Sequence, residues 1–246
     1  MDSLHIQSNC SFKRFVMRYK YQAYLFSILV LLITGYGYMA SCTHKDSLIV
    51  SNGPQIQRGT QVLKYPSDTK LSFDKAHSNV GWETAYLGGL SLLTGRFDTL
   101  GVTTLNFDEA NPANTNLECW VWLNRVNTSE PGRDKGCLLT TFGTTTSLTT
   151  EAANVAIVKS TKVELSPTDN GYIVTFDFTF HGVTKSLTGK LFYDGMVVTG
   201  SGATAKNVFG LSFSFQFLAK TDFGIVSSNI ADLVTVKCNT TFRQTQ

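Results

Sequence analysis

The feature that most constrains the fold is an alternation of apolar with small or polar residues near the C-terminus. From residue 209 to residue 217 every second residue is Phe or Leu, and the residues between them are Gly, Ser or Gln. Side chains point alternately to the two faces of a β-strand, so this pattern predicts a strand with one apolar face. That face must be buried against a second sheet or inside a closed barrel.

The same period of two recurs along the chain. It is clear at 172–180, 117–123 and 234–238, and weaker at 80–86, 101–107, 153–163 and 186–193. Turn-forming residues separate these segments, among them 169–171 and Asp194-Gly195. About eight strands, each with one apolar face and with no long helix between them, predict an all-β fold that packs as two sheets or closes into a barrel.

Residues 1–41 are predicted to form an export signal. Four basic residues precede a dense apolar run, and no charged residue occurs from Tyr21 to Thr43. Basic residues followed by an apolar run are the order of a secretory signal. The part before the run is long, and a start at Met17 would give a compact signal. We therefore interpret residues 1–16 as an upstream over-extension of the reading frame.

Cys42 directly follows Met39-Ala40-Ser41, a string that resembles the lipobox of bacterial lipoproteins. The resemblance implies cleavage before Cys42, its lipidation, and a tether over residues 42–70 with one short strand near 61–65. The alternative is an uncleaved transmembrane anchor, since about 20 apolar residues can span a bilayer. The lipoprotein interpretation places the chain in the bacterial cell envelope, at the outer membrane or in the periplasm.

The signal segment carries the whole net charge of the chain. Residues 1–41 hold four basic residues and one acid, and the full chain has a net charge of +3. The rest of the chain is therefore neutral, and it has no cluster of Lys and Arg interleaved with aromatic residues. We expect no nucleic-acid partner, because such binding depends on positive charge.

Seven short strings follow one another in the body of the chain. They read FDKAHSNVGW at 73–82, LG at 87–88, GRF at 95–97, RD at 133–134, KST at 159–161, HGVTK at 181–185 and DFGI at 222–225. This order resembles the YceI-like polyisoprenoid-binding family and spans residues 71–242. The resemblance implies an extended antiparallel eight-stranded β-barrel, similar to lipocalins, that encloses a long isoprenoid chain.

The resemblance also implies a ligand cavity lined by inward-facing apolar side chains. The implied lining residues are Val80, Trp82, Phe97, Phe107, Val121, Val174, Phe176, Phe178, Leu211, Phe213 and Phe215. Such a wall stabilises an isoprenoid chain by roughly 25 cal/mol per Å² of buried apolar surface. We treat His77, Arg96 and His181 as candidate contacts to a polar head group. Alternatively, the two histidines satisfy local backbone groups at strand–turn junctions, and Arg96 pairs with a nearby acid.

One segment departs from the family pattern. Between the strings at 133–134 and 159–161 the family has a helical segment near the ligand channel, with an aromatic pair, an acid and a Pro. Here Phe142 stands for one aromatic residue, and the Pro is missing from residues 137–151. We expect the shape of the cavity to differ in this region.

Motifs for covalent chemistry are not evident, and we expect no enzyme. The sequence has no phosphate-binding loop or dinucleotide fingerprint, and Ser212 lacks the second Gly of a nucleophile elbow. His77 and His181 are the only histidines of the body, whereas a metal site needs three or four ligands, so we expect neither a metal nor a cofactor.

Cys119, Cys137 and Cys238 form no C-x-x-C pair and allow at most one disulfide; buried free thiols are the favoured interpretation.

Together these features predict a cell-envelope lipid-binding protein that holds a polyisoprenoid or quinone-like molecule and contacts the membrane through its N-terminal lipid anchor. The alternative is a ligand-free structural or interaction barrel tethered at the membrane surface. The 17 Phe residues make this alternative credible, because their rings could fill the interior. Titration with a lipid distinguishes the two.

Overall fold

A computed structural model of the chain describes residues 70–142 and 154–245. The chain divides into two units, Met1–Gln55 and Ile56–Gln246, and all described residues belong to the second. The predicted signal segment, Cys42, the tether and the short strand at 61–65 lie outside the described residues. Within those residues, no helix is both long and apolar enough to cross a bilayer.

The described residues form one antiparallel sheet of eleven strands. The strands are β1 (Lys70–Phe73), β2 (Asn79–Tyr86), β3 (Ser91–Phe97), β4 (Leu100–Asn106), β5 (Asn116–Trp122), β6 (Val126–Asn127), β7 (Val155–Leu165), β8 (Tyr172–Phe180), β9 (Val183–Thr199), β10 (Lys206–Leu218) and β11 (Ile230–Thr245).

Helical structure in the described part is limited to short turns. Single 3₁₀ turns occupy Lys75–His77, Leu87–Gly89, Pro112–Asn114, Leu123–Arg125 and Gly202–Thr204. Residues 131–142, which we call the helical segment, combine the α-helical turns Pro131–Arg133 and Leu139–Phe142 with a π-helical turn, Asp134–Leu138, between them.

The sheet closes into a barrel because three of its strands are each interrupted once. β1 continues as β2, β3 continues as β4, and β5 continues as β6. β1 and β2 both pair with β11, whereas β3 pairs with β6 and β4 with β5. Backbone hydrogen bonds span the interruption, since the amide of Asp98 donates to the carbonyl of Arg125 at 2.9 Å. The amide of Trp122 likewise donates to the carbonyl of Thr99 at 3.0 Å. With each interrupted pair counted as one strand, the barrel has eight strands, which confirms the predicted fold class.

The alternating segments bury the faces that the sequence predicts. Buried and half-buried residues alternate from end to end of β8, and the buried set includes every Phe of that strand. In β10 all five apolar residues of the 209–217 pattern are buried. Aromatic and β-branched residues suit this pleated, half-buried surface, and their inward side chains form the core of the barrel.

The turn predicted at Asp194-Gly195 is wrong. β9 continues through these residues to Thr199, and its register with β10 shifts between Gly210 and Leu211. Gly195 has a φ of 118°, which a residue with a side chain rarely adopts. The two residues therefore form a bulge, in which glycine provides the backbone conformation that a turn would also require.

The antiparallel order places the connections at two opposite ends of the barrel. The turns after β2, β8 and β10 share one end with the helical segment, which follows β6. We call this the capped end. The connections after β4, β7 and β9 lie at the other end, together with the start of β1.

Candidate functional site

An apolar cavity of about 100 Å³ lies inside the barrel. Inward-facing residues of β1, β2, β4, β5, β10 and β11 form most of its wall, so the cavity follows this side of the barrel along its length. None of the described residues that line it carries a charge. Such a surface suits an apolar molecule and is unfavourable for an ion.

The structure brings eight of the predicted lining residues to this cavity. They are Val80, Trp82, Phe97, Val121, Phe178, Leu211, Phe213 and Phe215. Phe107, Val174 and Phe176 are buried as well, but they do not line the cavity. The contact of these side chains with a ligand stays a prediction.

Two of these residues, Phe107 and Phe176, pack closely against other aromatic rings. Phe176 is completely buried, and its ring centroid lies 5.4 Å from that of Phe213 and 5.0 Å from that of Phe215. Phe107 packs at the end opposite the capped end, 5.5 Å from the ring of Tyr172 and 6.2 Å from that of Tyr193. The interior along β8 is thus filled by side chains beyond Phe178.

Phe142 lies in the cavity wall at the capped end. Its side chain is only 2% exposed although it belongs to the short helical segment. Its ring lies 4.9 Å from that of Trp82 and 5.9 Å from that of Phe180. The sequence identifies Phe142 only as the remnant of an aromatic pair, and Phe142 is not among the predicted lining residues.

The indole of Trp82 occupies space that the neighbouring Gly95 leaves open. Trp82 and Gly95 are partners in the register of β2 with β3. A Cβ atom on Gly95 would lie 2.6 Å from Cζ2 and 2.9 Å from Nε1 of Trp82, so the indole lies directly across the glycine backbone. The indole Nε1 is buried and has no hydrogen-bond partner among the described residues.

Two cysteines face the cavity as free thiols. Cys119 and Cys238 both line its wall. Burial raises the pKa of Cys119 to about 12. Burial also raises the pKa of Cys238, and the proximity of Cys119 adds to this effect. Both thiols are therefore protonated at neutral pH and poorly nucleophilic.

Two of the three candidate head-group residues lie outside the cavity wall and have local partners. His77 lies in the turn between β1 and β2, where its Nδ1 is 2.8 Å from Oδ2 of Asp74. Arg96 is exposed on β3, where its Nε is 3.2 Å from Oδ1 of Asp98. The Arg96 contact is the pairing with a nearby acid that the sequence left open, whereas the partner of the His77 ring is a carboxylate and not a backbone group.

His181, the third candidate, lies at the capped end beside the helical segment. It occupies the turn between β8 and β9 with a φ of 52°, and its ring centroid is 5.2 Å from that of Phe180. Burial lowers its pKa, and a hydrogen bond with the backbone of Thr141 opposes that effect. The ring does not line the cavity, but it connects the β8–β9 turn to the helical segment.

Potential metal ligands are not clustered in the parts of the chain that the structure covers. No group of three or more His, Cys, Asp and Glu residues within 70–142 and 154–245 is placed to hold a metal ion. A second, more polar hollow of about 250 Å³ lies at the capped end, next to Arg133 and Thr141.

A closed antiparallel barrel of eight strands around an uncharged apolar cavity defines the class of lipocalin-like barrels. Within this class the chain belongs to the YceI-like domain family, because the family model matches residues 71–242. The resemblance read from the seven strings is thereby confirmed.

Two similar proteins share limited sequence identity with the chain. A UPF0312 protein of Vibrio parahaemolyticus is 33% identical over 131 residues, which are 53% of this chain and 62% of that protein. The match thus spans less than two thirds of that relative. BcnA of Burkholderia cenocepacia has the same fold, with a TM-score of 0.50 and 17% identity over 69% of this chain and 99% of BcnA.

A polyisoprenoid-binding domain from Saccharophagus degradans, implicated in plant cell wall breakdown, is another similar structure. It is 18% identical with a TM-score of 0.48, and the superposition covers 72% of this chain and all of that domain.

Proposed function

We propose that the protein binds an uncharged isoprenoid lipid, a polyisoprenoid or a quinone-like molecule, inside its barrel. The observation that carries this proposal is the internal cavity, whose described wall is apolar and without charge. Membership of the YceI-like domain family, which the sequence resemblance links to polyisoprenoid binding, supports it.

The size of the cavity limits how a long chain can enter. An apolar cavity of about 150 Å³ holds one benzene ring, so a cavity of about 100 Å³ accommodates roughly one five-carbon isoprenoid unit at most. A longer chain needs more space, and movement of Phe142 with the helical segment would open the cavity toward the capped end. Each methylene group that becomes buried contributes about 0.8 kcal/mol.

The lipid content of the purified protein tests this proposal. An organic extract of protein purified without detergent should contain an isoprenoid, detected by mass spectrometry. Val236 lines the cavity and is 7% exposed, so Val236→Phe should reduce the amount of extracted lipid by filling the cavity. Val197→Phe is the matched control, because Val197 is 61% exposed on β9 and does not line the cavity.

The same extracts distinguish lipid binding from the ligand-free barrel. The filled interior along β8 favours that alternative, since Val174 and Phe176 are completely buried there. Wild-type protein without extractable lipid, and without affinity for added isoprenoids, would support a structural role. Equal lipid in wild type and Val236→Phe would show that the lipid lies outside the cavity.

We further propose that the protein acts in the bacterial cell envelope, anchored by a lipid on Cys42. The basic residues, the apolar run and the string before Cys42 support this localisation. Cys42→Ser should abolish incorporation of a labelled fatty acid and release the protein from the membrane fraction. Membrane retention of Cys42→Ser would instead support the uncleaved transmembrane anchor. Peptides from residues 1–16 in the expressed protein would contradict the upstream over-extension.

A further inference from the structure

Exposed apolar side chains are concentrated at the capped end of the barrel. The described part of the chain has ten exposed large apolar residues, and six of them lie at this end on β3, β10 and β11 or in the turns that follow β2 and β10. These six, which we call the apolar rim, are Leu87, Leu90, Leu92, Leu218, Val226 and Leu233. Single exposed apolar residues are common on protein surfaces, whereas a cluster of them marks an interaction site.

Strand pairing makes the rim one surface. Leu218 and Leu233 are partners in the register of β10 with β11. β11 pairs with β2, and β2 pairs with β3, which carries Leu92. The amide of Leu87 donates to the carbonyl of Asn229 at 2.9 Å and so joins the β2–β3 turn to the β10–β11 connection. The six side chains therefore lie on four neighbouring strands and the two connections between them.

The rim carries almost no charge. No charged residue occurs at 84–95 or at 223–231, the two stretches that contain four of the six rim residues. Asp222 and Asp232 border the second stretch, and the carboxylate of Asp232 accepts hydrogen bonds from the amides of Lys220 and Thr221. Val226 is 99% exposed and Leu90 is 84% exposed. These side chains can therefore leave water without burying a neighbouring charge.

A polar hollow with one cation borders the rim. Leu92, Ser227 and Asn229 belong to the wall of the hollow of about 250 Å³ at the capped end. Arg133 is the only charged residue among the described residues of this wall, and no ion pair between described residues includes it. A guanidinium group binds phosphate oxygens well. An unpaired Arg beside an apolar surface thus matches a phospholipid, in which a phosphate group lies next to acyl chains.

We propose that the capped end docks on a phospholipid bilayer, with the apolar rim inserted among the acyl chains and Arg133 at the phosphate groups. Docking places the end at which Phe142 lies in the cavity wall against the membrane. An apolar molecule can then pass between the bilayer and the barrel without crossing water. The docking itself does not depend on a ligand in the cavity, because it involves only residues of the outer surface.

The length of the tether permits this orientation. β1 begins at the end opposite the capped end, and residues 43–69 separate it from Cys42. A chain of this length spans about 90 Å when fully extended, at roughly 3.3–3.6 Å per residue. The 16 residues of β11 span about 50 Å at roughly 3.3 Å per residue. A barrel held by a lipid on Cys42 can therefore turn its capped end toward the same bilayer.

Docking through the rim alone should be reversible. A single myristoyl chain gives only marginal, reversible binding to a bilayer, and we expect the rim to bind with similar strength. Protein with Cys42→Ser should therefore bind vesicles when lipid is in excess, yet be lost from a membrane fraction that is washed. This agrees with the release expected above for the unlipidated variant.

Co-sedimentation with vesicles tests the proposal. The barrel is complete within residues 70–245, so residues 42–246 with Cys42→Ser can be used without the apolar run and the acyl chains, which would bind membranes themselves. The vesicles contain phosphatidylcholine and phosphatidylglycerol in equal parts. Leu90→Ala should lower the partition coefficient about tenfold, because the inserted side chain becomes shorter. Leu165→Ala is the matched control, since Leu165 is 64% exposed at the opposite end, and it should leave the coefficient unchanged.

Salt distinguishes the two parts of the surface. Arg133→Gln should weaken binding about fivefold at low salt and less at high salt, because salt screens the attraction between the guanidinium group and an anionic membrane. The loss caused by Leu90→Ala should be the same at both salt concentrations. An effect of Arg133→Gln that does not change with salt would contradict its contact with phosphate groups.

Other outcomes would overturn the proposal. Wild-type protein that does not bind the vesicles would refute docking, and equal losses for Leu90→Ala and Leu165→Ala would show that binding does not use the capped end. Dimerisation in analytical ultracentrifugation that Leu90→Ala abolishes, without vesicle binding, would identify the rim as an interface between two copies of the chain. Extraction of lipid from the wild-type protein tests the proposed function separately, because a filled cavity does not require docking.

Discussion

Replacing Phe142 by Ala should destabilise the barrel by about 3–4 kcal/mol. Removal of a buried Phe ring costs about 3–5 kcal/mol in protein cores. Phe142 is 2% exposed, and its contacts with Trp82 and Phe180 are aromatic pairs, each contributing about 0.5–1.5 kcal/mol within that total. The lower half of the range applies because the short helical segment can readjust after the ring is removed.

Phe223→Ala is the matched control for this change. Phe223 is 5% exposed, and its ring lies 5.4 Å from that of Phe180 and 5.5 Å from that of Phe217. It does not line the cavity. The two variants should therefore lose similar stability, while only Phe142→Ala enlarges the cavity and opens it at the capped end.

Urea unfolding followed by circular dichroism measures the stability of both variants, and the rate of release of bound lipid measures the opening. The denaturation midpoint should fall while the slope with denaturant stays unchanged. A loss below about 1 kcal/mol for Phe142→Ala would contradict the close packing of the helical segment on the barrel, given the cost expected for a buried ring. Equal release rates for the two variants would show that Phe142 does not close the cavity.

Three further predictions follow from pKa values and packing. Burial lowers the pKa of His181 below 6.5, so at acidic pH the unfolded chain takes up a proton that the native chain does not. The free energy of unfolding should therefore fall from pH 7 to pH 5, by at most about 1.4 kcal/mol per pH unit. His181→Asn should flatten this dependence in urea titrations; equal slopes would contradict the cause. Cys119 should react with iodoacetamide only after unfolding, since its pKa is raised to about 12. Gly189→Ala should lower the free energy of unfolding by about 1–3 kcal/mol, because the new Cβ would lie 2.7 Å from the Phe213 ring. Gly81→Ala is the control: its Cβ would meet nothing closer than 3.6 Å, and the melting temperature should change little.

The number of barrel strands could be predicted because one face of each strand is buried. That burial imposes a period of two on the sequence, as in the buried Phe residues of β8 and β10. β3 escaped prediction since its pattern is broken: the adjacent residues Leu92 and Leu93 are 61% and 8% exposed. Because β3 has apolar residues on both of its faces, its sequence shows no period of two. The strand is identified only by its pairing with β2 in the structure.

Local sequence could not distinguish a turn from a bulge at Asp194-Gly195. A glycine with positive φ serves both structures equally well. The pairing of β9 with β10 on either side of Gly210 decides between them, and this contact is remote in sequence. The turn prediction was therefore wrong because the strand pairing that decides the structure is a long-range interaction, which local residue propensities do not describe.

The inward direction of the lining side chains could be predicted, whereas their access to open space could not. Val174, Phe176 and Phe178 share one face of β8 and one alternation, yet only Phe178 reaches the cavity. Rings of β10 pack against both Phe176 and Phe178, so neither the alternation nor the neighbouring strand distinguishes the two. Phe142 lies in an irregular segment, where no period identifies an inward residue.

The contact between an indole and a glycine backbone has an evolutionary consequence. Trp82 lies across Gly95, and Trp120 lies across Gly101, where an added Cβ atom would be 2.6 Å from Cζ2 of the indole. Mutation of either glycine first would displace its tryptophan, while loss of the tryptophan first would leave the glycine free to vary. Substitutions at each pair should therefore be inherited in a fixed order, with the large ring lost before the small residue is replaced.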